Sequence, residues 1–178
     1  MATLDITADQ LKEILHYEPE SGIFRWKKTT SRKIKVGQIA GTESTRGVAI
    51  NSKLFGRPML AHRLAWLYMT GGFPADGMVI DHRDRNPFNN VFSNLRLCTQ
   101  RQNTWNQGLR KANTSGVKGV NLLPTGRFHA RIRTEEGIKL LGNFKTIEEA
   151  ASAVAAARKE HHGEFASNGG PLSPNRPD

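Results

Sequence analysis

Polar and apolar positions follow two different rhythms along the chain. Near the N-terminus Leu11, Ile14 and Leu15 recur at helical spacing behind Thr7, a residue type suited to cap a helix. This predicts a short helix, which Pro19 and Gly22 break. Ile23, Phe24 and Trp26 begin a strand-like piece, and Val48 to Lys53 reads as another strand. Leu60, Leu64, Leu67 and Tyr68 share one side of a helix predicted over 60–69, which Gly71, Gly72 and Pro74 end. Met78, Val79 and Ile80 form a short apolar strand. Asn94 to Thr99 forms a return strand, and Thr99 caps a short helix carrying Asn103 and Asn106.

The C-terminal third repeats this alternation more strictly. After a polar, linker-like stretch at 107–115, residues 116–144 read as three short strands and 146–162 as one helix. In RFHARIR, a period of two puts Arg127, His129, Arg131 and Arg133 on one face and Phe128, Ala130 and Ile132 on the other. The helix offers an alanine-rich stripe (Ile147, Ala150, Ala151, Val154) to cover the apolar face, and Thr146 with Glu149 fits a capping box. The other face is then a cationic plate, with no Asp or Glu between Arg110 and Thr134. Past Phe165 the Gly-, Pro-, Ser- and Asn-rich tail reads as disordered.

Charge narrows the class of partner. The 178 residues carry 26 Lys and Arg against 16 Asp and Glu, a net charge of +10, which predicts an anionic partner. No apolar run approaches the roughly 18 residues of a spanning helix, and no N-terminal stretch reads as a signal peptide, so nucleic acid is favoured over membrane. Residues 21–42 hold six basic side chains (Arg25, Lys27, Lys28, Arg32, Lys33, Lys35) and no acidic one. Cys98, the single cysteine, excludes an internal disulfide and reads as a small buried residue of a cytosolic protein.

The candidate chemistry lies in MVIDHRDRNPFNNVFSNLRLCTQRQNTWNQ, residues 78–107. A strand ending in Asp81 and His82, a polar loop, a return strand and a helix would bring Asp81 and His82 against Asn103 although they are distant in sequence. Phosphodiester hydrolysis needs these types. A hard cation such as Mg²⁺ prefers oxygen ligands, which the Asp81 carboxylate and Asn103 amide supply. An imidazole, with its pKa near ~6.5, takes a proton from water at neutral pH, the role open to His82. Asn94 is better placed to brace the loop than to touch metal.

The spacing D-H-x6-N-N-x3-N-L-R-x6-N resembles the HNH endonucleases of phages and mobile introns, with their ββα-metal fold. The resemblance extends upstream through YEPESGIFRWKK, VGQIAGT and AHRLAWLYMTGGFP. It implies that His82 is the general base, Asn94 is structural, and Asp81 and Asn103 bind a single Mg²⁺ or Mn²⁺ ion. Asn at the last motif position matches the homing-endonuclease variant. SGVKGV, GRFHARIR, KLLGNFKTIEEAASAV and HHGEFA resemble the Apetala/ethylene-response-factor DNA-binding domain, which also occurs in phage HNH nucleases. That likeness implies DNA contacts at Lys118, Arg127, Arg131, Arg133 and Lys139. Val120 and Asn121 replace its common basic residues, and Leu122, Leu123 and Pro124 its turn aromatic, which implies altered sequence preference.

The resulting expectation is an α+β protein: an N-terminal part (1–76), a ββα-metal nuclease core (77–106), a linker (107–115), a three-stranded antiparallel sheet on one helix (116–166) and a disordered tail (167–178). It would be a cytoplasmic, phage-encoded, metal-dependent endonuclease acting on double-stranded DNA. Its rivals are a DNA-binding regulator with a decayed nuclease, which the intact Asp81, His82 and Asn103 oppose, and an RNA-binding module. The C-terminal sheet lacks the stacking aromatics the latter needs.

Overall fold

The structure, a computed structural model, describes residues 6–29, 31–109 and 112–169. It is an α+β fold of small sheets, and the chain divides into two compact units, the first ending at Leu97 and the second beginning at Cys98.

In the first unit, Thr7 caps helix α1 (Ala8–Ile14) through a capping box with Gln10. Leu15 is extended, at φ −126° and ψ 143°, so the chain passes from helix into strand β1 (Leu15–Glu18) with no loop. Leu15, expected on the helix, therefore belongs to a strand whose buried Leu15 and Tyr17 alternate with exposed His16 and Glu18. The turn after Glu18 closes an antiparallel hairpin with β2 (Ile23–Trp26), in which Tyr17 faces Phe24. Strands β3 (Thr42–Ser44), β4 (Gly47–Ile50) and β5 (Met59–Leu60) form a second antiparallel sheet. The strand expected over 48–53 stops at Ile50, because Ser52 caps a 3-10 turn, Lys53–Phe55, that buries Phe55.

Helix α2 (Ala61–Thr70) ends at Gly71, whose φ of 82° permits the left-handed cap. Its Leu64 and Leu67 join Leu11, Leu15, Phe24, Ile50 and Phe55 in one core. Tyr17, Phe24 and Tyr68 pack ring against ring, with centroids 4.6 Å apart for Tyr17 and Phe24. Strand β6 (Met78–His82) pairs with β7 (Leu95–Thr99), which crosses the boundary between the units.

In the second unit, Thr99 caps α3 (Gln100–Asn106) through a capping box with Gln102. Strands β8 (Val120–Leu122), β9 (Phe128–Thr134) and β10 (Gly137–Phe144) form an antiparallel sheet in the order β10-β9-β8. Helix α4 (Ile147–His162) starts at the Thr146–Glu149 capping box and covers the sheet through Ala150 and Val154, against Val120 and Ala130. Residues 77–106 are thus shared between the units, and 107–109 and 112–115 belong to the second. Residues 110–111 and 170–178, part of the expected linker and tail, lie outside the described residues. No described helix is long and apolar enough to cross a membrane.

Candidate active site

Strand β6 ends in Asp81 and His82, which are 6% and 8% exposed. A buried carboxylate needs a partner of opposite charge. Arg96 on β7 provides it, with Nε and Nη2 each 2.9 Å from Asp81 Oδ2. The Arg of the N-L-R motif therefore holds the Asp81 carboxylate in a fixed orientation, a role absent from the expectation.

The loop after His82 is built from side chains that bond its own backbone, the habit of Asn and Asp in turns. Asn94 Nδ2 donates to Asp84 Oδ1 at 3.0 Å and to the Asn89 carbonyl at 2.9 Å, and Asn94 Oδ1 accepts from Asp84 N at 3.1 Å. Asp84 also accepts from Asn86 N at 2.8 Å and from Asn89 Nδ2 at 2.7 Å. Arg85, at φ 64°, is the one non-glycine residue in the left-handed region among those described. That conformation is uncommon for such a side chain, and the Asp84–Asn94 bonds surround it. These are the bonds of a loop brace.

His82 Nε2 lies 3.4 Å from Asn90 Oδ1. The Asn90 amide is oriented by its own Nδ2, which donates to the Phe88 carbonyl at 3.1 Å. An acceptor oxygen at Nε2 favours the tautomer that donates there. Burial pushes the His82 imidazole below its ordinary range, against the opposing pull of the Asn90 bond and of the Asp84 and Asp81 carboxylates. His62, in the first turn of α2, stands with its ring edge-on to His82, centroids 5.0 Å apart. Burial, then the neighbouring His82 and Arg63, lowers its pKa to about 3, so it is neutral at neutral pH.

Asn103 is the fourth residue of α3, half-buried, in the second unit. The Asp81 carboxylate is an oxygen donor of the kind that a hard cation such as Mg²⁺ prefers. Among the described residues no group of three or more His, Cys, Asp or Glu side chains could hold a metal.

Residues 59–104, which contain Asp81, His82, Asn94 and Asn103, match the HNH endonuclease family. Protein 3.8 of Escherichia phage T7 is 33% identical over 114 residues, 64% of this chain and 93% of that protein. The chain belongs to the HNH endonuclease family. It is also similar to the uncharacterized HNH endonuclease L560 of Acanthamoeba polyphaga mimivirus, 35% identical over 109 residues, 61% of this chain and 56% of that one. The DNA endonuclease I-HmuI of Bacillus phage SP01 is 40% identical over 52 residues, 29% of each chain. This chain thus spans little more than half of the mimivirus relative and under a third of the SP01 enzyme. No solved structure matches it.

The second unit of this HNH enzyme carries the residues expected to touch DNA, and they divide. Ala130 and Ile132 face α4, while Arg131 and Arg133 are exposed on the opposite face with guanidinium groups that make no hydrogen bond or ion pair to described residues. Exposed Ile138 and Leu140 stand opposite Arg133 and Arg131. Arg127 donates to the Asn143 carbonyl at 3.2 Å.

The two lysines of the set, Lys139 and Lys118, each bond within the protein. Lys139 pairs with Ile132, and directly paired residues point to the same face. It therefore lies on the α4 side, donating to His161 Nε2 at 3.1 Å. Lys118 Nζ donates to the Trp105 and Gln107 carbonyls, each at 2.6 Å, and so satisfies carbonyls at the C-terminal end of α3. His162, the last residue of α4, stacks on Trp105 with centroids 4.2 Å apart and donates from Nε2 to the Arg133 carbonyl at 2.8 Å. Trp105, Asn121, Arg131, Arg133, Arg158 and His162 contribute to a cleft of about 450 Å³ whose lining has no acidic residue.

Proposed function

We propose that this HNH endonuclease hydrolyses phosphodiester bonds of double-stranded DNA with a single divalent ion, Mg²⁺ or Mn²⁺, held by Asp81 and Asn103. The observation that carries this reading is the buried Asp81–His82 pair at the end of β6, each member fixed by a separate partner, Arg96 and Asn90. His82 acts as general base: its imidazole takes the proton of the attacking water, oriented by the contact of Nε2 with Asn90 Oδ1. Asn94 braces the loop so that His82 keeps this direction. A bound divalent ion supplies charge neutralisation at the phosphate and at the leaving 3′ oxygen.

Two aspects of the site support the metal. Its donors are oxygens, and Arg96 presets the Asp81 carboxylate, so little ordering remains on binding. Calorimetric titration of Mn²⁺ into the protein with duplex DNA should show weaker binding in Asp81→Ala and in Asn103→Ala. Unchanged affinity in both variants would place the ion elsewhere.

The second unit is read as a DNA-binding module of the Apetala/ethylene-response-factor type that positions the nuclease. Support comes from the exposed Arg131 and Arg133, from Arg127 beside them, and from the acid-free cleft that continues toward α3. Arg131→Ala and Arg133→Ala should weaken DNA binding and flatten its salt dependence by roughly 0.9 units of slope for each phosphate no longer neutralised. The single-turnover rate at saturating DNA should not change. A wild-type salt slope in the double variant would assign DNA binding to another surface. With relatives in two phages and a giant virus, the reading includes a virus-encoded enzyme acting in the host cytoplasm.

A further inference from the structure

The first unit contains a second line of contacts, running from the N-terminal hairpin into the loop that carries Asn90. Tyr17, 1% exposed, donates from its hydroxyl to the Asn90 carbonyl at 2.6 Å across 73 residues of chain. Burial raises the Tyr17 phenol above its ordinary range, so the hydroxyl keeps its proton at neutral pH. Next to it, Phe92 N donates to the Pro19 carbonyl at 3.0 Å. Gly22, at φ +73°, brings the hairpin turn so close that a Cβ there would lie 2.4 Å from both Asn90 C and Val91 N. On the other side Gly47, the first residue of β4, leaves only 2.5 Å between a Cβ and the Pro87 carbonyl oxygen.

Residues 87–92 are therefore held by backbone and side-chain contacts from two hairpins that take no part in the HNH motif. Within that segment, Asn90 is the residue whose carbonyl is fixed by Tyr17 and whose amide oxygen faces the base. We propose that Tyr17 is a positioning residue for His82, acting through Asn90, and that the Pro19–Gly22 turn holds the same segment from the side. The inference rests on the reading of His82 as general base.

A buried aromatic hydroxyl bonded to a backbone carbonyl is common as a purely structural device. What separates the two roles is whether the effect of Tyr17 passes through His82, and a double-mutant cycle isolates that dependence. The experiment uses the full chain as wild type, Tyr17→Phe, His82→Ala and the double variant. It measures single-turnover cleavage of a duplex at saturating DNA with Mn²⁺, and separately the affinity for the same duplex in EDTA. Tyr17→Phe keeps the ring against Phe24 and removes only the hydroxyl. It should slow cleavage about tenfold in the wild-type background, as misplacement of a reacting group does. In the His82→Ala background it should change the rate less than about twofold, since the cycle then has nothing left to couple. Duplex affinity should be unchanged in all four proteins.

Gly22→Ala is a second probe of the same segment, because the added methyl must displace the Asn90–Val91 backbone. It should show the same loss of effect when His82 is absent. Equal rate factors for Tyr17→Phe with and without His82 would overturn the inference while leaving His82 as base. So would an effect confined to duplex affinity. Wild-type cleavage by His82→Ala alone would overturn the general-base reading and the inference with it.

Discussion

His82→Ala is expected to lose cleavage by about 10²–10⁴-fold, the range for removing a positioned general base, while binding duplex DNA as the wild type does. His82 is 8% exposed and its Nε2 is turned toward Asn90, so the side chain offers little surface to DNA beyond the reacting water. Single-turnover rates at saturating DNA, together with affinity measured in EDTA, separate these effects. Wild-type rates would remove His82 from the mechanism. The pH dependence follows from the same environment. Burial disfavours the imidazolium, so the base stays neutral as pH falls through the ordinary histidine value near ~6.5 and is protonated only below it. The acidic limb of the rate profile should therefore lie below that value and should vanish in His82→Ala.

Arg96→Met is expected to cost the most stability of any single change at the site. Arg96 and Asp81 are each 6% exposed, and removing one member leaves a buried carboxylate without its cation. Breaking such a pair costs about 3–5 kcal/mol, more than deleting an exposed ion pair, because the desolvated charge remains. Methionine keeps most of the stem volume, so the loss reports charge more than packing. Mn²⁺ with duplex DNA should restore part of this loss, and restore more than it adds to the wild type, since a cation at Asp81 replaces the guanidinium. Chemical denaturation of the full chain with and without Mn²⁺ and DNA measures both quantities. A loss under about 1 kcal/mol, typical of exposed pairs, would show that Asp81 does not depend on Arg96.

The parts of this site that were legible in the sequence are those fixed by local spacing. Asp81 and His82 at a strand end, the Asn94 brace, the Thr99 cap of α3 and the alternation of Arg131 and Arg133 with Ala130 and Ile132 all follow from periods of two or from side chains bonding nearby backbone. What escaped depends on distant segments. Tyr17 and Asn90 meet across 73 residues, and nothing in the composition of either segment announces the other. Strand β1 was hidden because it follows α1 with no turn residue between them, so Leu15 fitted the helical stripe as well as the strand. The face of Lys139 depends on its pairing with Ile132 of β9, a register that the sequence of β10 alone does not state. The charge of Lys118 is visible in the sequence, whereas the Trp105 and Gln107 carbonyls to which it donates belong to the end of another helix and are not. The boundary at Leu97, inside β7, likewise has no linker composition to mark it.

The most direct test of the account is conversion of supercoiled plasmid DNA by the purified full chain, with Mg²⁺ or Mn²⁺ and with EDTA. The predicted result is nicked or linear product with either metal, none with EDTA, and none above background in Asp81→Ala under the same conditions. Conversion that persists in EDTA or in Asp81→Ala, or its absence with both metals, would contradict metal-dependent cleavage at the Asp81–His82 site.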